Sequence, residues 1–147
     1  MTRPFMQQIS ITYRCAMRFR EKELADTGLA GCQTPYLTAL CRQPGMTQEE
    51  LARELNVNKS SVTRQLCALE QKGWVRREGD PKDKRTMRVY LTEAAQEMMS
   101  RIFGCYGAWN EYLTQDLTEE EKEVLSRLMQ RIARRAEEYV KGNVAEE

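Results

Sequence analysis

At 147 residues, with 41% hydrophobic and 31% charged residues and only 8 Gly and 4 Pro, the chain is long enough to bury an ordinary core and has the composition of a helix-rich folded protein, not a disordered one. No stretch approaches the roughly 18 apolar residues of a membrane span, and the first ten residues lack the basic-then-apolar layout of a secretion signal, so the expectation is a cytoplasmic protein with no membrane partner. Histidine is absent and the net charge is +1, which removes the commonest general base, metal ligand and near-neutral pH switch and makes an enzyme the least expected class.

In chain order, Ile9, Tyr13, Ala16, Met17 and Leu24 recur at helical spacing and predict one long amphipathic helix over residues 5–26. Gly28 and Gly31 interrupt it. Thr34 followed by Pro35 reads as an N-cap and first turn, predicting a short helix from Pro35 to Arg42. Pro44 and Gly45 end that element, and Thr47 with Glu50 three residues on forms a capping box for a helix that starts at Gln48 and stops near Asn56. A second start at Asn58 or Lys59 follows after a tight turn. Val62, Leu66 and Leu69 share one face of this next helix, while Ser60, Thr63, Arg64, Cys67 and Gln71 lie opposite. Gly73 accepts a left-handed stop, and Trp74 to Glu78 and Met87 to Leu91 have strand composition around a turn-rich connection, Gly79 to Arg85. Thr92 opens a long helix, and a Thr118/Glu121 capping box opens the last one, which carries Leu125, Leu128, Met129, Ile132, Ala136 and Tyr139.

The near-neutral total hides an uneven distribution. Residues 58–90 hold nine basic and four acidic residues, whereas residues 91–147 hold seven basic and twelve acidic ones. A basic middle third on a neutral chain suits a polyanion partner, because attraction to phosphate follows local charge. The five cysteines (Cys15, Cys32, Cys41, Cys67 and Cys105) are odd in number and include no C-x-x-C pair, so neither a disulfide framework nor a zinc site is signalled. No metal or cofactor is expected, and most of the thiols are expected to be reduced and partly buried.

From Thr47 to Thr92 the chain reads TQEELARELNVNKSSVTRQLCALEQKGWVRREGDPKDKRTMRVYLT. The helix-turn-helix of the ELA…VNKSSVTR kind, the LE-x-KG-W-V segment and the DP-x-D-K-R…V-x-LT wing follow in order, and in this the chain resembles the MarR family of transcriptional regulators. The opening of the final helix, DLTEEEKEVLSRL, resembles the family's last helix. The resemblance implies a mainly α fold with a small β-hairpin: a winged helix-turn-helix over about 34–91, flanked by dimerisation helices over about 5–27 and 93–141, all in a single domain, 1–147.

The chemistry of the matched residues agrees with that function. A helix about 10 Å wide fits the major groove, where base edges display distinct donors, acceptors and methyl groups. Lys59, Ser60, Ser61, Thr63, Arg64 and Gln65 are therefore candidate DNA contacts. Arg64 can fork onto guanine O6 and N7 or fall back on a phosphate, and Ser60 and Ser61 near the helix start suit phosphates. A narrow minor groove concentrates negative potential and favours an inserted arginine, a role that fits Arg85, with Lys82 and Lys84 on phosphates. The family resemblance implies that Asp83 steadies that arginine.

One such lobe buries only about 600–1,000 Å² on DNA, so tight specific binding calls for two copies on a pseudo-palindromic duplex. Ile9, Tyr13, Met17, Leu125, Leu128, Ile132 and Tyr139 are the expected contacts across or within a homodimer. The resemblance further implies repression relieved by a small, often aromatic, effector, for which Tyr13, Arg14, Met17 and Tyr36 are candidate pocket residues. Oxidation is the alternative trigger, with Cys15 beside Arg14 and Arg18, or Cys67 on the Arg64 face, as the candidate thiol. A winged-helix protein-interaction module without DNA binding is the rival function, and the basic 58–90 segment weighs against it.

Overall fold

Six α-helices and one two-stranded antiparallel hairpin succeed one another along residues 1–144, the part of the chain that the computed structural model describes. They are α1 (Phe5–Glu23), α2 (Thr34–Arg42), α3 (Gln48–Leu55), α4 (Lys59–Gln71), β1 (Val75–Gly79), β2 (Met87–Leu91), α5 (Glu93–Thr114) and α6 (Glu119–Val144), with one 3₁₀ turn at Ala25–Thr27. The architecture is mainly helical with a small hairpin, as expected. Among the described residues no helix is long and apolar enough to cross a membrane.

Two compact units divide the chain, the first running from Met1 to Trp109. Its centre is a cluster in which Leu24, Leu37, Leu40, Leu51, Val62, Leu66, Leu69, Val89 and Ile102 are each at most 1% exposed. Burying one such side chain contributes about 1.5–3 kcal/mol, so the cluster, drawn from four helices, the hairpin and the turn after α1, holds the helix-turn-helix in place. Local signals set the element ends. The Thr47 hydroxyl accepts from the Glu50 amide at 3.2 Å while the Glu50 carboxylate accepts from the Thr47 amide at 2.9 Å. Asn56 takes the left-handed conformation that stops α3, and the Asn58 carboxamide accepts from the Ser61 amide at 2.8 Å to start α4.

Strands β1 and β2 pair from Val75↔Leu91 to Gly79↔Met87. The middle of β2 is tied to the α2–α3 connection, since the Val89 amide donates to the Met46 carbonyl at 2.9 Å and the Gly45 amide to the Val89 carbonyl at 3.0 Å. Gly45 sits at φ +81°, and a Cβ there would meet the Tyr90 hydroxyl at 3.0 Å, so both the turn and the close approach of the hairpin require glycine.

Beyond a one-residue shift of β1, three details differ from the sequence expectations. Helix α1 stops at Glu23, not Asp26, because the chain tightens into the 3₁₀ turn. Gln33, not Thr34, is the N-cap of α2, since the buried Thr34 hydroxyl donates to the Gly31 carbonyl and bonds the Tyr106 hydroxyl on α5 at 2.7 Å. Four of the five thiols, those of Cys15, Cys32, Cys41 and Cys67, are exposed, and only Cys105 is buried.

The second unit begins at Asn110. The Thr118/Glu121 capping box forms in full, with bonds of 2.9 and 3.2 Å, and launches α6. Along α6, Val124, Leu125, Leu128, Met129 and Ile132 recur every three to four residues and remain 36–43% exposed, so this apolar stripe is not consumed within the unit. Tyr139 is 74% exposed. Residues 145–147 of the expected single domain lie outside the described residues.

Candidate nucleic-acid interface

The exposed edge of α4 and the tip of the hairpin together carry every residue singled out for DNA contact. Val62, Leu66 and Leu69 point one face of α4 into the core, which turns Ser60, Thr63, Arg64 and Cys67 to solvent. Ser61 and Gln65 are half-buried at the margin. The Thr63 hydroxyl donates to the Lys59 carbonyl and accepts from the Gln48 side chain, both at 3.0 Å, which braces α4 against α3. Among the described residues the Arg64 guanidinium reaches only the Ser61 hydroxyl, at 3.4 Å.

The wing is built around two aspartates. One oxygen of Asp83 accepts from the Arg85 amide at 3.0 Å and the other from the Thr86 hydroxyl at 3.1 Å, so Asp83 fixes the backbone on which Arg85 stands and leaves its guanidinium in solvent. Asp80 accepts from the Lys82 amide at 2.8 Å and from Arg88 Nε at 2.8 Å, and Arg88 also donates to the Gly45 carbonyl at 2.8 Å. The Lys82 amide, and after it the Arg88 guanidinium, hold the Asp80 carboxyl below the usual carboxylate range. The wing is thereby bolted to the α2–α3 turn. Sequence reasoning missed both Asp80 and Arg88 as wing supports; the Asp80-Pro81 dipeptide signalled the turn but not its partner.

Ion pairing sorts the nine cations of residues 58–90. Arg76 pairs with Glu78, Arg77 with Glu70 at 3.1 Å and Arg88 with Asp80, while Lys59 pairs with Glu49 at 3.0 Å. Lys72 donates to the Gly28 carbonyl and the Gln33 side chain. Arg64, Lys82, Lys84 and Arg85 are exposed and form no ion pair among the described residues. Free cationic groups therefore lie on α4 and the wing tip, since the strand arginines are ion-paired and the Lys72 ammonium, though without a carboxylate, is held by two neutral oxygens. The Lys59 ammonium beside Glu49 holds that carboxyl below its ordinary value.

The candidate effector residues are dispersed. Tyr13 and Arg14 face solvent on α1, Met17 is half-buried, and Tyr36 is 4% exposed within the core cluster, where burial pushes its phenol above the ordinary value. Met17 lies where α1 meets the chain leading to α2: a Cβ on Gly31 would fall 2.8 Å from the Met17 carbonyl. A depression of about 150 Å³ between α2, the hairpin and α5 is lined instead by Leu40, Cys41, Pro44, Arg76, Tyr90 and Gln96. Of the candidate thiols, Cys15 is exposed on α1, and the exposed Cys67 Sγ lies 3.7 Å from the Arg77 guanidinium. Among the described residues, no group of three or more His, Cys, Asp or Glu side chains is placed to hold a metal ion.

A helix-turn-helix followed by a hairpin bolted to it defines a winged helix-turn-helix protein. The MarR family model matches residues 33–87, from Gln33 through α4 to the far side of the wing. The HTH-type transcriptional regulator YwoH of Bacillus subtilis (strain 168) is 35% identical over 127 residues, covering 86% of this chain and 91% of YwoH. BilQ of Clostridium symbiosum, also an HTH-type transcriptional regulator, is 25% identical over 122 residues, 83% of this chain and 85% of BilQ. A crystal structure of MarR superposes with a TM-score of 0.81 at 30% identity over 91% of this chain and 98% of that one. The regulator SlyA, at 24% identity, shares the fold with a TM-score of 0.91 over 95% and 98% of the two chains. The chain belongs to the MarR family, and it is a DNA-binding transcriptional regulator.

Proposed function

We propose that two copies of this chain bind a pseudo-palindromic duplex as a cytoplasmic repressor, α4 of each reading a major groove and each wing entering the adjacent minor groove. The observation that carries the reading is the sorting of cations: the acidic partners silence Arg76, Arg77 and Arg88 and leave Arg64, Lys82, Lys84 and Arg85 uncompensated. Arg64 contacts a base edge or a phosphate from α4. Lys59, Ser60, Ser61, Thr63 and Gln65 frame it, and Lys82 and Lys84 flank Arg85 on phosphates while Asp83 keeps Arg85 presented.

A second copy is favoured by the uncovered apolar stripe of α6 and, on α1, by Phe5 and Tyr13, which are 52% and 58% exposed. Exposed stripes of this length mark a surface that another chain covers. Twofold pairing sets two reading helices about 34 Å apart, one turn of duplex. The repressor is released by an effector that prefers a conformer with wrongly spaced reading helices, either a small aromatic ligand bound among Tyr13, Arg14, Met17 and Tyr36, or an oxidant acting on Cys15 or Cys67. The test is selection from a random duplex library, with the mass of the complex measured in parallel. An enriched inverted repeat bound by two chains is expected, and a monomer, or no salt-sensitive retention of any duplex, overturns the reading.

A further inference from the structure

The polarity of one side chain on the reading helix is set from outside the helix-turn-helix. Gln33, at the start of α2, is only 4% exposed. Its Oε1 lies 3.0 Å from the Ala30 amide nitrogen and 3.0 Å from Lys72 Nζ, and its Nε2 lies 3.1 Å from Gln65 Oε1. A backbone N–H and an ammonium can only donate, so the Gln33 oxygen must face them. Its NH₂ then faces Gln65, which must answer with its carbonyl oxygen. Two flippable amides are therefore both oriented by groups that cannot reverse. The amide nitrogen of half-exposed Gln65 has no partner among the described residues and is the end left for a ligand.

We propose that Gln33 is a specificity-determining positioning residue: through a two-amide relay it holds Gln65 with its NH₂ outward, so that Gln65 reads a hydrogen-bond acceptor on the duplex and not a donor. The proposal rests on α4 being the reading helix. The acceptors in reach of such a donor in the major groove are guanine O6 and N7, adenine N7 and thymine O4, and cytosine N4 is disfavoured. The same contacts fasten α4 at two levels, since Gln65 lies in its second turn and Lys72 caps its C-terminal end, where Nζ also donates to the Gly28 carbonyl at 2.6 Å.

The relay makes an unusual prediction about a residue that need not touch DNA. In Gln33→Glu both side-chain oxygens accept; one keeps Ala30 and the Lys72 ammonium, which compensates the new charge, and the other demands a donor from Gln65. The Gln65 amide must turn over and present its oxygen. Gln65→Glu presents an acceptor outward directly. Both variants of the full chain should therefore shift preference at the same base step, away from an acceptor and towards a base offering an amine, when selected against a random duplex library.

Gln33→Ala releases Gln65 to rotate and should relax that step by about fivefold without inverting it, the size of one ordinary hydrogen bond. A purely structural Gln33 would lower the melting temperature and leave the selected sequence unchanged. Identical motifs for wild type, Gln33→Ala and Gln65→Glu overturn the relay even if Gln33→Glu does not fold, as does a folded Gln33→Glu that keeps the wild-type preference. A wild-type protein that enriches no sequence at all overturns instead the assignment of α4 as the reading helix.

Discussion

Replacing Arg85 by alanine tests whether the uncompensated cations carry DNA binding. Each protomer offers four such cations, Arg64, Lys82, Lys84 and Arg85, so a bound pair offers eight. Each cation that displaces a condensed counterion adds about 0.9 to the slope of log affinity against log salt, which puts the wild-type slope on the order of −7. Arg85→Ala removes two cations per pair and should bring the slope to about −5. Measured at 0.1 M salt against a 1 M reference, the two lost contacts amount to about a 60-fold loss of affinity. Arg76→Ala is the matched control, because Arg76 is already paired with Glu78 and stacks on Tyr90 with 4.8 Å between its guanidinium carbon and the ring centroid. Fluorescence anisotropy with a selected duplex across a salt series reads both slopes. An Arg85→Ala slope equal to the wild type, or an Arg76→Ala slope that falls further, would refute the charge sorting.

Arg64→Ala should cost about 1–3 kcal/mol on the preferred duplex and relax preference at one base step, and equal weakening on all sequences in a competition assay assigns Arg64 to a phosphate. Leu66→Ala, at a position that is 0% exposed, should destabilise the first unit by about 2–5 kcal/mol in urea melts, and a loss below 1 kcal/mol contradicts the placement of α4 on the core. Hydrogen bonds and neighbouring cations lower the folded pKa of Asp80, Asp26 and Glu49. The stability they contribute is therefore fully present above the ordinary carboxylate value of about 4 and is lost as pH falls through the lowered folded values. The thermal midpoint should accordingly stay flat from about pH 5 to 7.5 in this histidine-free chain and drop below about pH 4, with Asp80→Asn softening that drop; a midpoint that falls near pH 6 refutes the assignment.

The element order and the two helix faces were legible because they follow from periodicity and caps that act over four residues. Strand β2 falls on Met87–Leu91 as read, whereas β1 starts one residue late. The Trp74 amide is spent on the Leu69 carbonyl at 2.9 Å, closing α4, and its carbonyl accepts from Thr92 at 3.1 Å, so Trp74 serves the joints and not the ladder. Thr34 carried a cap signal but is consumed by Tyr106, 72 residues away, and no local pattern announces such a partner. Cysteine exposure is equally non-local. That the candidate residues share the outer edge of α4 and the wing tip was readable, while the groups that hold those elements, Gln33, Asp80, Arg88 and Lys72, act across 8 to 44 residues of sequence and had to be seen in space.

The paired arginines of β1 bear on where the protein spends its time in a cell. A genome offers on the order of a million or more competing sites, and what matters there is the ratio of operator to background affinity, not the strength of either alone. Glu70 and Glu78 hold Arg77 and Arg76 in ion pairs and so lower the free positive charge that a duplex of any sequence would attract. Removing those carboxylates would make the regulator stickier and less discriminating at once, drawing it off its operators onto the bulk chromosome.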